Sequence, residues 1–123
     1  MHNLKKNFPI IYRDQNISEA ITKISKSKIK ILFVVNRKNK LLGSISSGDL
    51  RRSIRKKIDL NQSVKKIMFK KPKYFMNKDN DLSSMKEFIC IPVVNKRKEI
   101  IDFEFSKTLI QNKKNTIFFF HTL

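Results

Sequence analysis

A chain of 123 residues, 40% of them hydrophobic, is long enough to bury one apolar centre or two small lobes that share one. Its net charge of +18 comes from basic residues scattered along the chain, in a composition also heavy in Asn, Ile and Phe, so the charge reflects compositional bias as much as a phosphate-binding surface. A single cysteine excludes an internal disulfide and a thiolate metal site, His2 and His121 lie too far apart in sequence to suggest a ligand pair, no apolar run nears the roughly 20 residues of a membrane span, and the start MHNLKKNFPII lacks a signal-peptide core, all of which points to the cytoplasm.

In chain order, residues 10–12 (IIY) form a short strand. Asn16 or Ser18 caps a helix that carries Ile17, Ala20, Ile21 and Ile24 at helical spacing. Residues 31–35 (ILFVV) are a continuous branched run, as in a strand buried on both faces. The polar turn 36–40 leads into a strand over 41–45 and so closes a hairpin. A second helix follows, with Leu50, Ile54 and Ile58 on one side and Arg51, Arg52 and Arg55 off it. Residues 63–68 form a short linking helix, and Pro72 marks a new start. From about residue 74 to 111 the pattern repeats, with Met85 and Phe88 on a shortened helix and Cys90 as a small core residue within an apolar run.

The repetition can be seen by eye. LFVVNRKNKLLGSISSGDL, residues 32–50, matches IPVVNKRKEIIDFEFSKTL, residues 91–109, without a gap. Upstream, IIYRDQNIS at 10–18 lines up with FMNKDNDLS at 75–83. The offset is 65 before the first helix and 59 after it, so the second unit lacks six residues of helix, between one and two turns. The sequence therefore predicts a β-α-β-β-α unit present twice.

That arrangement resembles the CBS domain pair, or Bateman module. The resemblance rests on the strands Leu32-Phe33-Val34-Val35-Asn36 and Ile91-Pro92-Val93-Val94-Asn95. It rests also on the link Val64-Lys65-Lys66-Ile67-Met68 before Pro72, and on Gly43, Ile45, Ser46 and Asp49, which match a G-x-h-[ST]-x-x-D signature. It implies an α/β (α+β) fold with pseudo-two-fold symmetry, a first repeat and linker over 1–68, a second, degenerate repeat over 69–112, and an apolar tail over 113–123.

Both glycines of the chain, Gly43 and Gly48, flank the serines of GSISSGDLRR. Ser46 and Asp49, three apart at a strand-to-helix junction, match a capping box, which by itself satisfies free amides at the helix start. Gly43 permits close approach to the strand, and Gly48 opens the first turn of the helix. The same corner also suits a nucleotide. A helix start favours an anion, a carboxylate accepts from ribose hydroxyls, and arginines bind phosphate. The resemblance implies that Ser46 and Asp49 contact the ribose and phosphate of an adenosine derivative, AMP or ATP. Gly48 belongs to the same corner, Arg52 is the candidate phosphate contact, and Ile10 and Ile31 are the candidates for packing against adenine.

In the second repeat Asp102, Phe105 and Thr108 stand where Gly43, Ser46 and Asp49 stand in the first, so at most one nucleotide per chain is expected. SGDLRR further resembles the motif of sugar-phosphate nucleotidyltransferases with an N-terminal CBS pair, similar to mannose-1-phosphate guanylyltransferases, and of arabinose-5-phosphate isomerases with a C-terminal one. Repeats that begin near Met1 favour the first, as does the segment 113–118, which sits where a catalytic domain's first strand would begin; the tail 113–123 is read as a remnant of that junction. No Gly-rich phosphate loop, nucleophile–His pair or carboxylate pair accompanies them, so the expected role is regulatory and not catalytic. The resemblance also implies a homodimer and a sugar-nucleotide enzyme as partner. Charge-driven binding of nucleic acid, and a decayed pair that binds nothing, stand as alternatives.

Overall fold

The computed structural model describes residues 8–76 and 89–106. Phe8–Pro72 forms one compact unit, and the described residues from Lys73 onward belong to another.

In the first unit, β1 (Ile10–Tyr12) is followed by α1 (Ile17–Ser25), β2 (Ile31–Val35), β3 (Leu41–Ser46) and α2 (Ser47–Arg55). Strand order in the sheet is β1-β2-β3, with β1 parallel and β3 antiparallel to β2. Alternation along the strands sends Ile11, Leu32, Val34 and Ile45 into one core with Ile17, Ala20 and Ile24 of α1, Leu50 of α2, and Val64. Ile10, Phe33 and Ser44 share a row on the opposite face and are buried too, as the unbroken apolar run of β2 requires. α1 starts where Asn16 caps it, its side chain accepting from the Glu19 amide at 2.8 Å while Glu19 returns the bond to the Asn16 amide at 2.9 Å.

The hairpin between β2 and β3 is held by Asn36, whose side-chain oxygen accepts from the amides of Lys38 at 2.8 Å and Lys40 at 3.0 Å. Asn39 completes it with a φ of 66°.

In the second unit, β4 (Phe75–Met76), β5 (Cys90–Val94) and β6 (Ile100–Phe105) form a sheet in the order β4-β5-β6 with the same parallel and antiparallel pairing. Its hairpin repeats the first in detail. Asn95 accepts from the amides of Arg97 and Glu99 at 2.9 and 3.0 Å, and Lys98 takes a φ of 65°. The register shift between Val34 and Val35 recurs between Val93 and Val94. The amide of Ser106 bonds the carbonyl of Ile89 at 2.9 Å, as Ser47 bonds Lys30 at 3.2 Å. Cys90 is buried, as its apolar run implied, and that burial pushes its thiol pKa up.

Some local expectations fail. Ile54 does not face the core. It is 52% exposed, and Ser53 is buried in its stead. The helix stops at Arg55 and the chain turns at Lys57, with a φ of 59°, so Ile58 reaches the core from outside the helix and the Leu50–Ile54–Ile58 stripe never forms. The link is one 3-10 turn, Val64–Lys66, capped by Ser63, shorter than the expected 63–68. The β4 register also corrects the alignment by one residue. Phe75 pairs with Val93 as Ile11 pairs with Val34, because Phe75 must share the inward face with Ile91 and Val93. The shortened helix with Met85 and Phe88, the helix after β6 and the tail 113–123 lie outside the described residues.

Candidate functional site

The junction of β3 and α2 brings Ser46 and Asp49 together. Ser46 is the last residue of β3 and the N-cap of α2, with extended backbone at φ −97° and ψ 167°. Its hydroxyl accepts from the Asp49 amide at 3.1 Å, and Asp49 Oδ2 accepts from the Ser46 amide at 2.8 Å. So far this is the capping box that α1 also has. Two further bonds set it apart. The Ser46 hydroxyl donates to Asp49 Oδ2 at 3.1 Å, and the Arg52 guanidinium donates to Asp49 Oδ1 in an ion pair. The Asp49 side chain is 20% exposed and that of Arg52 56%, so the carboxylate is partly sheltered under a guanidinium that reaches solvent.

The two glycines answer to different demands, and neither has positive φ. A β-carbon at Gly43 would lie 2.6 Å from the Phe69 carbonyl and 2.7 Å from Met68 Sδ. The bare backbone there lets the link return along β3, where Ser44 and Phe69 exchange both amide bonds at 2.9 and 2.8 Å. Gly48 sits in the first turn of α2. A β-carbon at that position would meet Ser46 Oγ at 3.6 Å and one guanidinium nitrogen each of Arg51 and Arg52 at 3.7 Å, all ordinary contacts. The chain itself therefore has no need of glycine at 48.

Ile31 pairs directly with Ser46 across β2 and β3, and Ile10 lies on the same face, one row further along through Phe33 and Ser44. Ser46, Ile31 and Ile10 thus share one sheet face, Gly48 and Asp49 lie in the first turn of α2, and Arg52 reaches back to Asp49 from its last turn. Ile10 is buried and Ile31 half-buried. Sequence reasoning passed over Phe33 and Ser44, which share the row of Ile10, next to that of Ile31 and Ser46 on this face; a step of two from Ile31 and from Ser46 would have found them.

In the second repeat the register puts Phe105 opposite Cys90 as Ser46 stands opposite Ile31, and Asp102 opposite Val93 as Gly43 stands opposite Val34. Phe105 is half-buried, with its ring centroid 6.4 Å from that of Phe103. Thr108 lies outside the described residues. Elsewhere on the first sheet an open depression of about 470 Å³ forms at the ends of β1 and β2, against Tyr12, Asp14 and Arg37. None of the six candidate residues lines it.

Two three-stranded sheets of matching topology, each with its parallel pair and its hairpin, form the mixed α+β fold of a CBS domain pair. The family model of the CBS domain matches residues 3–56 of this chain, the first repeat. A CBS domain protein of Pyrobaculum aerophilum, complexed with AMP, superposes with a TM-score of 0.69 at 18% identity, over 94% of this chain and 93% of that one. The CbpB protein of Listeria monocytogenes, in complex with c-di-AMP, does so with a TM-score of 0.72 at 15% identity, over 89% of this chain and 88% of that one. By sequence the chain is similar to an uncharacterised protein of Helicobacter pylori, strain J99, at 34% identity over 83 residues, which is 68% of this chain and 25% of that protein. The chain spans about a quarter of the length of the curated relatives it matches.

Proposed function

We propose that the chain is a regulatory module that binds one adenosine nucleotide, AMP or ATP, at its first repeat. The observation that carries this reading is the β3–α2 junction. Ser46 and Asp49 face each other at a helix start, beside a glycine that the fold does not require. Asp49 would accept from the ribose 2′- and 3′-hydroxyls, sharing or giving up donors that it now holds. Ser46 would turn its hydroxyl to a sugar or phosphate oxygen, with the positive end of α2 behind it. Ile10 and Ile31 would offer apolar surface to adenine. AMP and c-di-AMP, bound by the two structural neighbours, share an adenosine monophosphate unit, which supports the ligand class.

Among the described residues of the second repeat, a ring stands where the hydroxyl would be and a carboxylate where the glycine would be. One nucleotide per chain follows. SGDLRR favours a sugar-phosphate nucleotidyltransferase, of the mannose-1-phosphate guanylyltransferase kind, as the enzyme regulated. Relatives several times longer than the matched segment fit a module that serves a larger protein. The module associates as a homodimer in this reading, and the nucleotide acts by binding one of its states more tightly than another.

A thermal melt tests the proposal. AMP should raise the melting temperature of the intact chain and of Phe105→Ala by several degrees at saturation, and leave Asp49→Ala unmoved. No shift in the intact chain, or an equal shift in Asp49→Ala, contradicts it.

A further inference from the structure

We infer that Arg52 makes the site selective for phosphorylated adenosine over the bare nucleoside, through an exchange of partners on Asp49. This rests on the nucleotide reading above. Both carboxylate oxygens of Asp49 are engaged within the chain. Oδ2 takes the amide and hydroxyl of Ser46, and Oδ1 takes the Arg52 guanidinium. A ribose that approaches Asp49 must share or displace these donors. The Ser46 amide is fixed by the backbone of the helix cap, whereas Arg52 hangs from a long side chain more than half exposed. Arg52 is therefore the partner that yields.

What the guanidinium moves to decides the selectivity. Guanidinium nitrogens of Arg51 and Arg52 both lie 3.7 Å from the place a β-carbon at Gly48 would occupy, and the Ser46 hydroxyl lies 3.6 Å from it. Two cations and a hydroxyl thus surround bare backbone, while Asp49 is the carboxylate paired to Arg52 there. A nucleotide that takes Asp49 with its ribose hands Arg52 a phosphate in return, so one charge-assisted bond replaces another. Adenosine takes Asp49 and gives nothing back, leaving a guanidinium stripped of its partner. Glycine at 48 keeps the space for that phosphate open.

Calorimetric titration of AMP and of adenosine into the intact chain, Arg52→Gln and Arg51→Gln tests the exchange, with circular dichroism to confirm that each variant is folded. The intact chain should bind AMP at least roughly tenfold more tightly than adenosine, the worth of one charge-assisted bond. In Arg52→Gln that ratio should collapse towards one, with adenosine binding as well as or better than before, because Asp49 Oδ1 is released from the guanidinium. Arg51→Gln should keep most of the ratio. Higher salt should weaken AMP binding to the intact chain and strengthen adenosine binding, since it loosens the ion pair. A ratio that persists in Arg52→Gln, or equal losses for both ligands, overturns the exchange and leaves the nucleotide site standing. If neither ligand binds the intact chain, the nucleotide reading falls and takes the exchange with it.

Discussion

At the residue scale, the two glycines separate structure from ligand. Gly43→Ala drives a β-carbon against the Phe69 carbonyl, a backbone atom that cannot swing aside. The link must then leave β3, at a cost of about 1–3 kcal/mol, as for an overpacked core. Gly48→Ala meets ordinary contacts only and replaces glycine within a helix, so the melt should hold steady or rise, with a gain of up to about 1 kcal/mol. Its AMP affinity should nonetheless fall if the space beside Ser46 belongs to a phosphate. A thermal melt and a titration on the same two variants check both outcomes. Cys90 gives a third test. Burial disfavours its thiolate, so the folded chain binds that proton more tightly than the unfolded chain does. The stability it contributes is full below the ordinary thiol value of 9.0 and declines as pH rises above it. Iodoacetamide at pH 8 should label Cys90 slowly in the folded chain and rapidly in denaturant; equal rates would contradict its burial.

At the element scale, this chain builds left-handed turns without glycine. The C-terminus of α2 carries both bonds of a Schellman motif, Ile58 amide to Ser53 carbonyl at 3.1 Å and Lys57 amide to Ile54 carbonyl at 3.0 Å, yet lysine fills the position with φ 59°. Lys57→Gly should stabilise the chain by about 1 kcal/mol, read as a rise in melting temperature. A fall would mean that the Lys57 side chain makes a contact worth more than the relieved strain. The same trait explains what could be foreseen and what could not. β1 and β2 were legible because β-branched runs bounded by polar turns have few other readings, and α1 was legible from Asn16 and its apolar spacing. The end of α2 was not, because no glycine or proline marks Lys57, and three isoleucine and leucine positions at helical spacing invited a longer helix. The one-residue slip at β4 has a similar origin. FMNKDN offers no alternation strong enough to fix which of Phe75 and Met76 points inward, and only pairing with β5 decides it.

At the scale of the whole molecule, the duplication was the most readable feature, since the gapless match between 32–50 and 91–109 reappears as identical hairpin register and identical asparagine turns. The candidate site was readable in part. Ser46 and Asp49 announced themselves by spacing, but their mutual bonds and the grip of Arg52 on Asp49 depend on side-chain placement that spacing does not determine. The charge of +18 makes its own prediction. A random oligonucleotide should bind weakly, lose affinity steeply between low and physiological salt, and be indifferent to Asp49→Ala, as expected of phosphate attraction without a built site. Filter binding across a salt series checks this, and an oligonucleotide that competes with AMP for the intact chain would merge the two activities.

The most direct trial is to titrate the intact 123-residue chain with AMP in a calorimeter. The proposed site at the β3–α2 junction should yield saturable heat with a single nucleotide per chain, abolished by Asp49→Ala. Flat heat, two equivalent sites, or an unchanged isotherm in the variant would contradict the account.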